Sequence, residues 1–402
     1  MATSPRFEQE SDVEIRPFRI DIPDRDIDDL KRRLANTRWP YRETVEGWEQ
    51  GVPLDKGREL ADYWLNNYDW RRFEQRVNAF PQFTTRIDDL DIHFLHVRSK
   101  HQGAMPILLM HGWPGSIVEF IRLIEPLVDP VPYGGRPEDA FHVVLPSLPG
   151  WGFTEPPKVE GWGHERIARM VTTLMERLGY REWVAQGGDY GAHVLSTLGE
   201  HPPKSLVGIH FNLLFVIPRE LAGDATAEER EAFEAWRWTQ VEEGGFSHIQ
   251  RTKPQTLGYG LVDSPIGQAM WIYEKFYRWT DNDGNPEDAI PIDDMLDNIS
   301  LHWFTQSSIL SARAFWEGRN STTFDGSPIG VPVAATVFKN DIFKYPRSWA
   351  ERRYSNLIYW NELEKGSHFG TLEAPDAMVR EIRAAFSGLR GNGRSTENQL
   401  AG

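Results

Sequence analysis

Two glycines that bracket an aspartate near the middle of the chain constrain its fold more than any other feature. Gly187 and Gly191 lie two residues before and two residues after Asp189. A short apolar run typical of a strand precedes this motif at 182–185, and a helix-type run follows it at 192–198. This pattern is the G-x-nucleophile-x-G elbow, a tight strand-to-helix turn that lifts one side chain above a parallel sheet. Glycine is required because a Cβ at either position would clash across the turn.

An aspartate stands where this kind of elbow usually carries serine. The attacking group would therefore be a carboxylate oxygen, and the covalent intermediate would be an alkyl ester of Asp189. Hydrolysis of that ester needs a base that activates water, and the base needs an acid that orients it. In this architecture the three groups follow one another in the chain as nucleophile, acid and histidine.

Two residues downstream of the elbow fit the remaining roles. Asp341 follows a predicted strand at 333–338, and His368 lies in the loop after the next predicted strand, at 356–360. Of the twelve histidines, His368 is the one at this place in the topology. Glu362 and Glu364 are rivals to Asp341, but they lie too close to His368 along its own strand. The sequence therefore predicts a triad of Asp189, Asp341 and His368.

The loop at 111–116 predicts the other half of such a site. It follows an apolar strand at 107–110 and contains Trp113 and Pro114. An oxyanion hole of this architecture takes one backbone N–H from the residue after the nucleophile and one from an earlier loop. Those residues are Tyr190 and Trp113. We expect Pro114 to direct the Trp113 amide inward, and a cis Trp113–Pro114 bond is compatible with that role.

Strands alternate with helices from residue 106 onward, which predicts a mostly parallel sheet with helices on both faces. Further strands are expected at 141–145 and 206–211, an amphipathic helix at 164–178 that ends at Gly179, and a last helix at 375–386. An aromatic-rich helical segment, including 227–242 and 267–279, interrupts the alternation. We interpret it as a lid inserted over the carboxyl edge of the sheet.

The remaining segments complete the predicted organisation. Helices are expected from residue 24, at 55–66 and at 70–79, followed by strands at 83–87 and 92–97. We expect this first unit to be structural. The predicted divisions are a mobile N-terminus (1–14), an N-terminal domain (15–97), a core (98–217 and 325–388), a helical lid (218–324) and a tail (389–402).

Composition removes several classes of partner and cofactor. A formal net charge of −15 argues against nucleic acid and against an anionic membrane surface. No run of 18 apolar residues occurs, the first residues lack a signal-peptide core, and the absence of cysteine excludes disulfides and thiolate chemistry. A calcium-like segment at 281–284 lacks the required glycine and glutamate further on. We therefore expect a cytoplasmic protein with no metal and no cofactor, whose sixteen tryptophans suit an apolar pocket.

At these motifs the chain resembles the epoxide hydrolases of the α/β-hydrolase fold, in their microsomal and juvenile-hormone branch. The resemblance covers about residues 15–388 and rests on the segments 17–20, 34–40, 111–116, 187–191, 248–250, 252–254, 263–265 and 366–369. It implies the fold with that family's extra N-terminal domain, a small hydrophobic epoxide as substrate, Asp189 as nucleophile, His368 as base and Asp341 as acid. The microsomal enzymes' membrane anchor is missing, which favours a soluble bacterial relative.

The chain departs from that family at the acid that opens the ring. The family uses two lid tyrosines, and an ungapped comparison places Phe246 and Phe315 at their positions, with His248 and Trp316 beside them in the expected substrate pocket. Losing a positioned general acid costs roughly 10²- to 10⁴-fold in rate. Either another donor serves, or the substrate differs, or turnover is slow. The candidate donors are Tyr190, Tyr259, Tyr273, His248 and His302.

Three functions remain open at this point. The first is a cofactor-free epoxide hydrolase that acts through an aspartyl ester. The second keeps the triad but expels a stable anion such as halide, which Trp113 could bind. The third is a relative without catalytic activity that binds a hydrophobic ligand or partner. Several substrates, regiochemistries and oligomeric states, among them a homo-oligomer, are compatible with the sequence.

Overall fold

The computed structural model describes residues 13–319, 321 and 328–390. Most of the segment predicted to be mobile at 1–14 lies outside the described residues, and so does the predicted tail beyond residue 390. The last part of the predicted lid, residues 320 and 322–324, also lies outside them.

A single sheet organises the described part of the chain. Its nine strands there are β1 (Ile15–Phe18), β2 (Gln82–Ile87), β3 (Leu90–Val97), β4 (Met105–Met110), β5 (Phe141–Pro146), β6 (Trp183–Gly187), β7 (Leu206–Phe211), β8 (Val333–Phe338) and β9 (Leu357–Leu363). They lie side by side in the order β1-β2-β3-β5-β4-β6-β7-β8-β9. The six neighbouring strands β5, β4, β6, β7, β8 and β9 run parallel to one another. At the other edge, β1, β2 and β3 pair antiparallel, and β3 also pairs antiparallel with β5. The predicted mostly parallel sheet is therefore confirmed.

Helices cover both faces of this sheet and also form a separate group above its carboxyl edge. They are α1 (Asp24–Ala35), α2 (Leu54–Asn66), α3 (Trp70–Asn78), α4 (Ile121–Val128), α5 (His164–Arg177), α6 (Asp189–Glu200), α7 (Ala227–Glu242), α8 (Gly245–Thr252), α9 (Pro254–Asp263), α10 (Pro265–Arg278), α11 (Ile292–Phe304), α12 (Ser307–Gly318), α13 (Arg347–Arg353), α14 (Gly370–Glu373) and α15 (Pro375–Phe386). Helices α4 and α15 pack together against the sheet, and α5 and α6 form a second pair against it. Because β8 is covered on both faces, all six of its residues are buried.

The N-terminal segment is divided between the sheet and the helices above it. Its strands extend the sheet without a break, because β3 pairs with β5 across the predicted boundary at residue 97. Its helices instead pack on the inserted group, with α1 and α2 against α10 and α3 against α11. The inserted helices α7 to α12 lie between β7 and β8 in the chain. The division into domains stays a prediction.

Local sequence accounts for the ends of several elements. Helix α5 buries Ile167, Val171 and Leu174 at helical spacing, and Gly179 follows it with a φ of 81°. That left-handed conformation is one glycine adopts readily, so the helix ends there. The turn between β6 and α6 is tighter still. A Cβ on Gly191 would lie 2.4 Å from the carbonyl oxygen of Met110, at the end of β4.

We expect Gly191→Ala to destabilise the protein, because the added methyl group meets backbone that cannot rotate away. Overpacking of this kind costs about 1–3 kcal/mol of the free energy of unfolding. The control is Gly260→Ala in α9, where a Cβ would meet nothing within 4 Å. That change should be neutral or stabilise by up to about 1 kcal/mol. Urea denaturation followed by circular dichroism measures both, and equal stabilities would contradict the close approach.

Candidate active site

The elbow places Asp189 at the carboxyl edge of the sheet, between β6 and α6. Its backbone has a φ of 46°, in the left-handed region that a residue other than glycine seldom adopts. Such a conformation costs about 1–3 kcal/mol and persists only where the surroundings impose it. The close approach of Gly191 to β4 provides that constraint. The side chain is partly exposed, at 26%.

Two backbone N–H groups hold one oxygen of this carboxylate. Trp113 and Tyr190 donate to Oδ1 of Asp189 over 2.7 Å and 2.6 Å. Gly112 permits this approach, because a Cβ there would lie 2.3 Å from that same oxygen. The Trp113–Pro114 peptide bond is cis. Since both donors serve Oδ1, the second oxygen, Oδ2, is left for other contacts.

The structure brings His368 and Asp341 to the other side of Asp189. The Nε2 atom of His368 lies 3.4 Å from Oδ2 of Asp189, and its Nδ1 atom lies 3.8 Å from Oδ1 of Asp341. The second distance is an ion-pair contact rather than a hydrogen bond, and contacts of this kind often shorten once substrate is bound. The His368 amide donates to the carbonyl of Trp279 over 3.2 Å, which holds its loop against the inserted helices.

The two carboxylates decide the charge of His368. Burial alone would lower the pKa of the imidazole, but the two facing carboxylates of Asp189 and Asp341 outweigh it and raise the pKa to about 10. With this pKa the ring is a cation at neutral pH. Any reaction that removes the charge of Asp189 lowers the pKa of His368 and makes it a base.

Glu373 supports the His368 loop and was not found from the sequence. Its Oε1 accepts hydrogen bonds from the amides of Ser367 and Phe369, and its Oε2 accepts one from Asp281. Burial raises the pKa of this carboxyl to about 8. The one sequence signal for it is its position, five residues after His368 at the end of α14.

A cavity of about 320 Å³ lies over Asp189 and His368. Aromatic rings form one wall, where Phe246 stacks on Trp113 with centroids 4.7 Å apart and Phe315 meets Trp113 edge-on at 5.9 Å. Trp279 packs against both Phe246 and His368. The other lining residues are His193, Leu213, Leu214, Phe215, Ile217, Trp236, Thr239, Gln240, Glu243, Gly244, Ser247, Arg251, Ile342, Phe343 and Tyr345. Many of these come from α7 and from loops without a recognisable motif, so the sequence did not identify them.

The predicted pocket residues are corrected at two positions. His248 is exposed on α8, because it lies two residues beyond the inward-facing Phe246 and therefore on the opposite side of the helix. Trp316 follows the inward-facing Phe315 on α12 and lines a different cavity, and Arg319 stacks on its ring.

The proton donors proposed from the sequence are also placed away from the cavity. Tyr259 is 73% exposed, and the hydroxyl of Tyr273 donates to Glu287 over 2.6 Å. The hydroxyl of Tyr190 points to the carbonyl of Ala314, and His302 contacts the backbone of Pro114. None of these four side chains, nor His248, is among the lining residues of the cavity in the described part of the chain.

Two wider properties of the described residues bear on ligands and location. No three His, Asp or Glu side chains among them come together in an arrangement that could hold a metal ion. Within the same residues, every helix is too short or too polar to cross a bilayer.

Comparison with protein families gives two matches that together span residues 15–221. Residues 15–120 match the family described as epoxide hydrolase N terminus. Residues 105–221 match the family described as alpha/beta hydrolase fold.

Relatives along most of the chain carry related names. A protein of Stigmatella aurantiaca (strain DW4/3-1) named "Putative epoxide hydrolase" is 52% identical over 377 residues, covering 94% of this chain and 86% of that protein. Epoxide hydrolase 1 of Sus scrofa is 33% identical over 94% of this chain and 89% of its own length.

Solved structures resemble the whole described architecture. The juvenile hormone epoxide hydrolase of the silkworm Bombyx mori superposes with a TM-score of 0.86 at 30% identity, covering 95% of this chain and 96% of that one. The epoxide hydrolase of Aspergillus niger gives a TM-score of 0.83 at 31% identity, covering 94% and 97%. These matches confirm the predicted α/β-hydrolase fold.

We expect His368 to titrate with a pKa of about 10, because two carboxylates face it. Asp341→Asn removes one of their charges and should move the pKa down, toward the ordinary value of about 6.5. Nitrogen-15 NMR of histidine-labelled protein measures both, with the resonance assigned through His368→Gln. As a control, Asp129→Asn removes the carboxylate beside His101 and should leave the His368 titration in place. A wild-type pKa below the ordinary value would mean that burial dominates.

Proposed function

This chain belongs to the epoxide hydrolases of the α/β-hydrolase fold, and from that membership we propose that it hydrolyses a small hydrophobic epoxide to a diol through an ester of Asp189. The observation that carries the proposal is that the two oxygens of the Asp189 carboxylate make different contacts. Two N–H groups hold Oδ1, while Oδ2 lies beside His368 at the floor of an aromatic cavity. No cofactor takes part in the proposed reaction. We also propose a cytoplasmic location, which the absence of cysteine supports.

In the first step Oδ2 of Asp189 attacks a ring carbon of the epoxide. The new C–O ester bond forms as the ring C–O bond breaks, and the electron pair of that bond goes to the ring oxygen. The resulting alkoxide takes a proton from a donor in the cavity. Asp189 is now a neutral ester, so the pKa of His368 falls, and the proton that His368 releases restores the donor.

In the second step neutral His368 takes one proton from water as the oxygen attacks the ester carbonyl. The negative charge of the tetrahedral intermediate develops on Oδ1, which the Trp113 and Tyr190 amides stabilise. Collapse expels the diol oxygen, which takes the remaining proton of the attacking water, and restores the carboxylate beside protonated His368. Protons and charges return to their starting arrangement, so one imidazole serves both half-reactions.

We infer that Tyr345 is the donor that protonates the ring oxygen. Phe246 and Phe315 line the cavity but have no hydroxyl group to donate a proton. Among the described residues that line it together with Asp189 and His368, Tyr345 is the one tyrosine. Burial and the charge of Asp341 raise the pKa of Tyr345, so its hydroxyl keeps its proton at neutral pH. A neutral phenol can donate to an alkoxide as that charge develops.

Asp189→Asn should abolish turnover of styrene oxide, since an amide lacks the nucleophilic oxygen. A single turnover of the wild-type protein in ¹⁸O-labelled water should leave label in the peptide that contains Asp189, which mass spectrometry detects. If diol formation survives the substitution, or if the label appears only in the diol, the ester mechanism is wrong.

A second prediction concerns the donor. Tyr345→Phe should slow formation of the alkyl-enzyme by roughly 10²- to 10⁴-fold, the usual contribution of a positioned general acid. The same change should matter much less in a protein that also carries Phe246→Tyr and Phe315→Tyr, because two new hydroxyls then face the cavity. Rapid-quench mass spectrometry with styrene oxide gives the alkylation rate. Tyr354→Phe is the control, since Tyr354 is buried but does not line the cavity.

If Tyr345→Phe has the same rate as wild type in both backgrounds, Tyr345 is not the donor. The alternative function then gains weight, in which the same triad expels an anion that needs no proton. The observation that favours this alternative is that Phe246 and Phe315 stand where the family has its two lid tyrosines. Halide release from haloalkanes, measured by ion chromatography in the absence of diol formation from epoxides, would assign that activity instead.

A further inference from the structure

Helix α11 carries a buried polar stripe that faces the loop beside Asp189. Asp294, Asn298 and His302 are spaced four residues apart, so they lie along one side of the helix. All three are buried, and all three contact the segment that runs from Pro114 to Arg122. Asp294 forms an ion pair with Arg122, while the other two reach the residues immediately after Trp113.

Asn298 makes two hydrogen bonds to this segment. Its side-chain amide donates to the carbonyl of Pro114 over 2.8 Å, and its side-chain oxygen accepts from the hydroxyl of Ser116 over 2.7 Å. Asn298 is 1% exposed, so water does not compete for either bond. A buried polar group that lost such a partner would incur its full desolvation cost, which holds the loop in this conformation.

His302 makes the matching contacts one helical turn further on. Its Nε2 atom lies 2.9 Å from the carbonyl oxygen of Pro114 and 3.2 Å from that of Gly115. Carbonyl oxygens only accept, so Nε2 carries the hydrogen and Nδ1 accepts from the hydroxyl of Ser307 over 3.1 Å. Burial lowers the pKa of His302 to about 4, so the ring stays neutral and keeps this tautomer over the physiological range.

The far side of α11 is anchored to the N-terminal helices. The Trp64 indole donates to Ser300 over 2.9 Å, and the Tyr68 hydroxyl donates to Asp297 over the same distance. Arg72 pairs with Asp297 at 2.6 Å. The helix is thus held on one side while its polar stripe holds the loop on the other.

We propose that Asn298 and His302 are positioning residues, which set the Trp113 amide on the oxyanion of the ester intermediate. The assignment rests on the proposed function. Both side chains bind the carbonyl of Pro114, the residue next to Trp113, whose N–H holds Oδ1 of Asp189. Neither side chain lines the cavity over Asp189 and His368, and both act through the backbone of the loop.

The two half-reactions should respond to these residues in different ways. During alkylation the negative charge of Asp189 passes to the epoxide oxygen, so hydrogen bonds to Oδ1 weaken and their loss does not raise the barrier. During hydrolysis the charge returns to Oδ1, so a displaced Trp113 amide stabilises that transition state less. Loss of the positioning contacts should therefore slow hydrolysis alone and make the alkyl-enzyme accumulate.

The test uses the full chain with styrene oxide as probe and compares wild type with Asn298→Leu and His302→Leu. Rapid quench followed by intact-protein mass spectrometry gives the rates of alkylation and of ester hydrolysis separately. We expect hydrolysis to slow roughly 10- to 100-fold, somewhat less than the loss of a whole oxyanion donor, with alkylation unchanged or faster. His302→Gln keeps a side-chain N–H and should recover part of the hydrolysis rate.

The control is Gln268→Leu. Gln268 is equally buried and donates over 2.9 Å to the carbonyl of Ile299 on the same helix, but it does not reach the loop. Its loss should leave the ratio of the two rates unchanged. Ser116→Ala, which removes the hydroxyl bound to Asn298, provides a milder variant if the leucine variants fail to fold.

The possible outcomes distinguish a failure of this positioning role from a failure of the proposed ester mechanism. If wild type forms no adduct at Asp189, the ester mechanism falls and the assignment falls with it. If wild type forms the adduct but Asn298→Leu, His302→Leu and Ser116→Ala slow both steps equally or neither, the assignment alone is wrong. It is also wrong if Gln268→Leu makes the adduct accumulate in the same way.

Discussion

Two backbone N–H groups that converge on a single oxygen of Asp189 are the interaction on which the rest of the structure depends. The convergence requires a left-handed backbone at Asp189 and a loop close enough that Gly112 cannot carry a Cβ. It also requires α6 to begin against the end of β4, where Gly191 meets the carbonyl of Met110. Backbone donors cannot rotate away, so they are oriented before any charge develops. The second oxygen, Oδ2, is thereby directed to the cavity and to His368.

The charges around His368 determine whether its ring is a cation or can act as a base. A histidine between two carboxylates is held as a cation, whereas a histidine beside one carboxylate and an ester has a lower pKa, releases its proton more readily and can then act as a base. The charge of Asp189 therefore controls the protonation of His368, whose Nε2 atom lies 3.4 Å from Oδ2 of Asp189. Asp341 is almost fully buried, and its Oδ1 lies 3.8 Å from Nδ1 on the other side of the ring.

The inserted helices and the N-terminal segment complete the site from opposite directions. Phe246, Phe315 and Trp279 line the space above Asp189 with apolar surface, which lowers the local dielectric and strengthens the electrostatic contacts below. The N-terminal helices do not reach the cavity themselves. Helices α2 and α3 contact α11, and α11 holds the loop that contains Trp113. A part of the chain without catalytic groups therefore contributes to the geometry of the site.

The fold and the candidate triad could be predicted because their signals are local. Strands at 206–211 and 333–338 and helices at 227–242 and 375–386 agree with the structure to the residue, since each has the right periodicity and a clear end. The elbow glycines and the chain order of Asp189, Asp341 and His368 are likewise visible in one dimension. Parallel strands bring their carboxyl ends to one edge, which is why these distant residues meet.

The directions in which the inserted helices face, and the contacts between remote segments, were decided by tertiary packing. Trp316 and His248 follow inward-facing phenylalanines by one and two residues and yet face away, because each residue turns a helical side chain through about 100°. Tyr345 and Glu373 reach the site from loops and short helices with no motif. The hydrogen bond between Asn298 and Pro114 joins residues 184 positions apart. Local sequence specifies which element forms and where it ends, but only the packed chain specifies what each element touches, because burial and hydrogen bonding are satisfied by neighbours in space.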